Sequence, residues 1–226
     1  LDRSAAGVID LDMKKIYNTS IDEEISTAFN DLSKCEGEEL SKKCGVVFLR
    51  GSGKKSYKRY VVNVLNKTYS VELETREVMD LISGKPASKE LALVILRYLA
   101  YSSGGRGSET WIPYENLPDS RKYLELFRRN VTRPFIKTFG SNPEKYELVC
   151  RRMGGKKEKL GGISYSFYFL PKVQLLTQLW KIREEFSQPA ANISFNSSVK
   201  FYLNARDLLL VAKTMVESLE NEAKKI

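Results

Sequence analysis

The sequence predicts an α+β fold, with helices packed on a mostly antiparallel sheet as a single compact unit. Three observations carry this reading. Segments with apolar residues at helical spacing are interspersed with segments of strict two-residue alternation. The strand-like segments fall in adjacent groups and not singly between helices, which favours hairpins over βαβ winding. Hydrophobic residues at 42% and charged residues at 29% of 226 positions are an ordinary globular balance, in a chain long enough to bury a core without disulfide or metal.

Each element has a local reason. Leu1–Asp12 reads as an appended or flexible segment, since Met13-Lys14-Lys15 makes an ordinary start, and residues 13–226 then form one domain with a joint near 86–105. Ser20 caps a helix whose first turn carries Asp22, Glu23 and Glu24, and Ile21, Ile25, Ala28, Phe29 and Leu32 give it one buried face. A short helix over Glu38–Cys44 stops at Gly45. Val46–Leu49 is β-prone, and Tyr57–Leu65 and Thr68–Leu73 flank a turn at Asn66-Lys67. Thr75–Ser83 reads as a short helix or an irregular crossover. Ser88 caps the clearest helix, through Leu91, Leu93, Val94, Leu96 and Leu99, which is apolar nearly all round and therefore central.

Ser102–Ser108, with three glycines and Arg106, leads into Trp111-Ile112-Pro113-Tyr114, an irregular aromatic stretch of the kind that carries recognition. Asp119–Phe127 resumes a helical rhythm, Asn130 begins a further helix as its cap, and Asn142-Pro143-Glu144 opens another that stops at Met153-Gly154-Gly155. Ile163, Tyr165, Phe167 and Phe169 alternate with Ser164, Ser166 and Tyr168; Val173–Trp180 is a further strand, and Asn192–Phe195 a short one. The terminal helix opens at Asn204–Asp207 and buries Leu208, Val211, Ala212, Met215 and Leu219.

Histidine is absent, which removes serine and cysteine nucleophiles activated by imidazole and every imidazole metal ligand. Cys35, Cys44 and Cys150 are odd in number and fit no zinc or iron–sulfur spacing, so the expected setting is a reducing cytoplasm. No segment reaches the roughly 18 consecutive apolar residues of a spanning helix, and no cofactor or metal is assigned. The net charge of +9 is uneven: residues 50–159 hold 23 basic and 12 acidic side chains. A nucleic-acid surface and a lysine-rich solvated face both remain open.

The candidate nucleic-acid contacts are Lys54, Lys55, Lys58 and Arg59, interleaved with tyrosines; Arg128, Arg129, Arg133 and Lys137, spaced for a helix face; and Arg151, Arg152, Lys156 and Lys157 around glycines. Gly51-Ser52-Gly53-Lys54-Lys55 lacks the phosphate-loop pattern and precedes a strand, so it reads as a basic hairpin loop. A candidate pocket comprises Trp111, Glu184, Glu185, Asn196 and Asp207, whose carboxylates serve catalysis or magnesium binding only if they converge. No residue is assigned as catalytic.

Tyr98-Leu99, Glu109-Thr110-Trp111, Glu115–Pro118, Phe139-Gly140, Leu170-Pro171, Glu184–Phe186, Ala191–Ile193, Phe195–Ser198, Tyr202-Leu203 and Asp207-Leu208 follow one another over roughly residues 90–210. In that order they resemble an uncharacterised prokaryotic domain family, number 3786 among domains of unknown function. The resemblance implies a shared fold and no established activity. Members carry an aspartate at the position of Asn196, histidines at Arg97 and Phe201, and Gly-Asp at Ile182-Arg183, so a metal or acid–base site built on those groups would not carry over.

The leading expectation is a non-catalytic accessory or binding protein whose basic surface meets DNA, RNA or another protein. A ligand-binding protein or enzyme using the Trp111–Asn196 region, and an assembly component acting by shape, are the alternatives.

Overall fold

In the computed structural model the described residues are 20–51, 57–106, 109–180 and 190–226. The segment Leu1–Asp12, the loop residues Lys54 and Lys55, and Glu184 and Glu185 lie outside them.

Helix α1 (Ile21–Ser33) starts with a reciprocal cap, in which Glu23 N–H donates to Ser20 Oγ at 3.2 Å and Ser20 N–H to Glu23 Oε2 at 3.1 Å. Helix α2 (Gly37–Cys44) ends as expected on Gly45, whose φ of 65° is left-handed. Four strands follow as an antiparallel meander, β1 (Val47–Gly51), β2 (Tyr57–Val64), β3 (Lys67–Glu72) and β4 (Glu77–Asp80), in spatial order β1-β2-β3-β4. Tyr60, Val71 and Val78 share one register row, and Tyr60, Val62, Val64, Tyr69 and Val71 are buried, as alternation requires.

Two local expectations are corrected here. The β2–β3 turn is Leu65-Asn66, one residue earlier than Asn66-Lys67. Leu65 takes φ 50° there, while its N–H donates to Phe169 O at 3.0 Å and ties this sheet to the second one. Thr75–Ser83 is neither helix nor crossover: it contains β4, whose end is held by Asp80. The Asp80 carboxylate accepts Lys67 Nζ at 2.9 Å and the N–H groups of Ile82 and Ser83 at 2.9 and 3.1 Å.

Helix α3 (Lys89–Tyr101) is buried at Leu91–Leu96, Tyr98 and Leu99, and forms the centre of the core. Next come a short strand β5 (Trp111–Pro113), where no strand was expected, two 3-10 turns, and α4 (Leu124–Phe127). Asn130 does not cap a new helix. It lies in a π-helical segment, Arg128–Thr132, that runs from α4 into α5 (Arg133–Phe139), and its Nδ2 donates to Leu126 O at 2.9 Å. Pro134 has no N–H for the preceding turn, and the widened π turn accommodates it without breaking the rod. Helix α6 (Pro143–Arg152) begins on its Asn142 cap.

The second sheet contains β6 (Lys156–Glu158), β7 (Ile163–Leu170), β8 (Val173–Trp180) and β9 (Ala190–Asn196), in the antiparallel order β5-β9-β8-β7-β6. On β7, β8 and β9 odd-numbered residues such as Tyr165, Phe167, Leu175, Thr177, Ile193 and Phe195 face α4–α6 and are buried there. Tyr146 of α6 donates to Thr177 O at 3.0 Å, and Tyr114, stacked on Phe127, meets the Phe195 ring. Helix α7 (Ala205–Ala223) closes the core. One hydrophobic cluster runs through both sheets and the helices, giving a compact α+β domain with two antiparallel sheets.

Asp80 supplies a pH test of the first sheet. The Lys67 ammonium first, and the Ser83 and Ile82 N–H groups with it, hold its carboxyl down to about 2 from an ordinary 3.8. A depressed carboxyl stabilises the fold above its unfolded pKa and loses that contribution as pH falls through the folded one. The stability gap between the native protein and Asp80→Asn is therefore constant near neutrality and closes between about pH 4 and about pH 2. Urea denaturation midpoints across that range measure it.

Candidate functional site

Strand alternation gives the second sheet a face opposite the helices, made of its even-numbered residues and of Trp111. Trp111 pairs with Asn196 and Tyr168 pairs with Gln174, while the Leu175–Phe195 pair puts Asn196 beside Gln174. One row across four strands therefore reads Trp111, Asn196, Gln174, Tyr168: two aromatic rings with two carboxamides between them. At the usual spacing of neighbouring strands the ends of this row lie about 14 Å apart. In the next row, Pro113, Ser194, Leu176, Ser166, Lys156, the three central side chains are buried and only Lys156 lines the cleft above the first row.

Over the first row opens a cleft of about 880 Å³. Its walls carry Lys42 and Lys43 from α2, Gly104, Gly105 and Arg106 from the loop after α3, and Lys172 from the β7–β8 turn; Lys156 stands on the floor. Against these five cations stand two carboxylates, Glu109 and Glu158. Glu158 is partly neutralised in place, accepting Ser166 Oγ at 2.7 Å with Lys156 Nζ at 3.4 Å. Lys43 pairs with Glu39 at 3.3 Å. Among the described residues Lys42, Arg106 and Lys172 form no ion pair.

The walls converge for identifiable reasons. The Tyr98 phenol on α3 donates to Cys44 O, the last residue of α2, and accepts Lys172 N–H at 3.1 Å. One buried hydroxyl thus fixes two cation-bearing segments that are distant in sequence. Burial pushes its pKa far up, so it stays a donor at any working pH. Gly45 completes the junction, since a Cβ there would come within 3.1 Å of the Lys172 side chain. Gly104 and Gly105 thread the Arg106 loop through a narrow gap: Cβ atoms would lie 2.8 Å from the Lys43 stem and 2.6 Å from the Phe201 ring, and Gly104 has φ 70°. Tyr202 donates to Gly105 O at 3.1 Å and Ser103 N–H to Phe201 O at 2.9 Å, pinning the loop.

Of the residues singled out in the sequence, Trp111, Asn196 and Lys156 meet in this cleft. Asp207 does not. It is buried in a separate cluster, where Arg97 donates to it at 2.8 Å and to Glu24 at 2.7 Å, and Arg206 donates to Glu24 at 2.8 Å. Burial raises the Asp207 carboxyl despite these cations, and the arrangement joins α1, α3 and α7. Arg97, Phe201 and Asp207 also line a smaller hollow of about 290 Å³.

The other basic residues are dispersed. Lys58 is exposed at the start of β2, and Arg59 lies over the Tyr57 ring and pairs with Glu72. Arg128, Arg129, Arg133, Lys137, Arg151 and Arg152 belong to the helical layer behind the sheet, with Arg133 near Glu125 at 3.4 Å and Arg152 near Glu222 at 3.8 Å. Lys157 points to that layer too and pairs with Glu147. Lys42, Lys43, Lys172, Tyr168 and Gln174 were not singled out in the sequence; the polar positions flanking Pro171-Lys172 were the one available signal.

The described residues contain no group of three or more acidic or cysteine side chains placed to hold a metal ion, and no helix among them is long and apolar enough to cross a membrane. Cys44 and Cys150 are buried, with thiols pushed up by desolvation, and are poor nucleophiles.

A family model described as a domain of unknown function, DUF3786, matches residues 38–218, a span that contains every cleft residue named above. No curated protein and no solved structure matches the chain.

Removing the Tyr98 hydroxyl tests the junction. Tyr98→Phe leaves the Lys172 N–H and the Cys44 carbonyl without their partner, at a cost of about 1–3 kcal/mol. The Lys172 amide is expected to exchange faster with solvent while amides in α7 keep their protection, as hydrogen-exchange mass spectrometry would show.

Proposed function

The chain belongs to this family of domains of unknown function, and we propose that it is a non-catalytic binding protein whose basic cleft takes a ligand carrying both phosphate and a flat heterocycle, the chemistry shared by nucleotides and nucleic acids. The observation that carries the reading is the coincidence of Trp111 and the two carboxamides with five cations around one cleft. Lysine and arginine supply phosphate binding, an indole face supplies stacking, and Asn and Gln match the donor–acceptor edges of bases.

Several features favour binding over catalysis. Glu109 is exposed and Glu158 is engaged with Ser166 and Lys156, so neither is set up as an isolated acid or base. The buried carboxylate with a raised pKa, Asp207, sits in the ion-paired cluster away from the cleft.

The test replaces together the three cations that form no ion pair among the described residues, as Lys42→Gln, Arg106→Gln and Lys172→Gln. Fluorescence anisotropy with dye-labelled adenosine and thymidine nucleotides and short oligonucleotides would be followed over a salt series. Native protein should bind with an affinity that falls with salt, and the triple variant should bind at least tenfold more weakly with a shallower salt slope. Unchanged binding by the triple variant would remove the cleft from consideration. A loss produced instead by Arg128→Gln with Arg133→Gln would move the site to the helical layer.

A further inference from the structure

The cleft also specifies what kind of phosphate ligand fits it. Trp111 and Tyr168 lie at opposite ends of one row, about 14 Å apart by strand spacing, so a single base cannot touch both rings. Tyr168 is 65% exposed, on a sheet face and not at a loop tip, and no hydrogen bond holds its hydroxyl among the described residues. It lies near the C-terminal end of β7, beside the irregularity that precedes the β7–β8 turn, where its exposed ring can take a flat partner.

The carboxamides between the rings are placed to meet base edges. Asn196 Oδ1 accepts Ser198 N–H at 3.0 Å, which fixes its side chain and leaves Nδ2 as the donor. The Gln174 side chain makes no hydrogen bond to the described residues, and it lines the cleft with one donor and one acceptor group.

The cations are distributed and not focused. Lys42 and Lys43, Arg106, Lys172 and Lys156 come from four separate segments around the row. A site for one terminal phosphate gathers donors on a point, as a glycine-rich loop or a helix N-terminus does. A ring of separated charges beside a line of stacking surfaces suits a chain of phosphates, and this is how sheet faces hold single strands. A duplex is a poor fit, because its bases are already stacked on one another and cannot reach the rings.

We propose that the cleft binds a single strand of nucleic acid lying across β5, β9, β8 and β7, with one base on Trp111, another on Tyr168, and Asn196 and Gln174 contacting base edges between them. The proposal rests on the reading of the cleft as a phosphate-ligand site, and adds the polymer and its path.

The experiment follows Trp111 fluorescence in a Trp180→Phe background, titrated with thymidine monophosphate, oligothymidylates of increasing length, oligouridylates and a duplex of matched length. Affinity should rise steeply from the mononucleotide to an oligomer long enough to reach both rings, and single strands should outcompete the duplex. Tyr168→Ala should weaken oligomer binding by about tenfold and mononucleotide binding by clearly less, whereas Tyr168→Trp should retain oligomer binding. Tyr168 is exposed, so these variants leave the core intact. If the mononucleotide binds as tightly as the oligomers, or Tyr168→Ala changes nothing, the single-strand path is wrong while the phosphate cleft stands. If neither nucleotides nor oligomers quench Trp111 at low salt, both are wrong.

Discussion

The two-residue alternation of β7, β8 and β9 is the constraint from which the rest of the molecule follows. It sends Tyr165, Phe167, Leu175, Ile193 and Phe195 to one side, where α4, α5 and α6 cover them, and Tyr168, Gln174 and Asn196 to the other. Because the register is fixed by burial on one face, the opposite face inherits a fixed arrangement of polar side chains without separate specification. The cleft floor is in this sense a by-product of the core. A slip of one residue in β8 would bury Gln174 and expose Leu175, so the order of the row is as secure as the hydrophobic packing behind it.

The walls need a different device, since they come from α2, the Arg106 loop and the β7–β8 turn. Buried polar contacts supply it. The Tyr98 phenol joins α2 to Lys172, and Glu24, Arg97, Arg206 and Asp207 form a charge cluster that holds α1, α3 and α7 in one relative position. Burying such charges gains little stability when every partner is present, and is costly when one is missing, so the cluster acts mainly against alternative packings of the three helices. Helix α3 is the common member of both devices, and it is the most thoroughly buried helix in the first half of the chain.

Much of the fold was legible in the sequence because its signals are local. Ser20 with Glu23, Gly45, Ser88, Asn142 and Asn204 mark helix ends, and the Tyr69–Val71 and Tyr165–Phe167 alternations mark strands. Strands β5 and β6 were not legible, because three residues carry no periodicity and both exist only by pairing with distant partners. The Asn130 helix start failed because a cap-type residue shortly before Pro134 has the pattern of a helix beginning, whereas here a π turn carries the rod through both. The site was legible in fragments. Trp111, Asn196 and Lys156 stood out by residue type, but their meeting with Lys42, Arg106, Lys172 and Tyr168 is tertiary. So is the position of Arg128, Arg133 and Lys137 behind the sheet: a helix face can be read from spacing, but the side of the sheet it covers cannot.

The central claim is that the ligand lies on the even-numbered face of the second sheet and not on the basic helical layer behind it. Chemical-shift mapping by NMR with a short single-stranded oligonucleotide separates the two most directly. The account predicts that the Trp111 indole N–H and the Asn196 and Gln174 side-chain amides shift on titration, while backbone amides of Arg128, Arg133 and Lys137 stay in place. Shifts concentrated on α4–α6, with the Trp111, Asn196 and Gln174 signals unmoved, would contradict it.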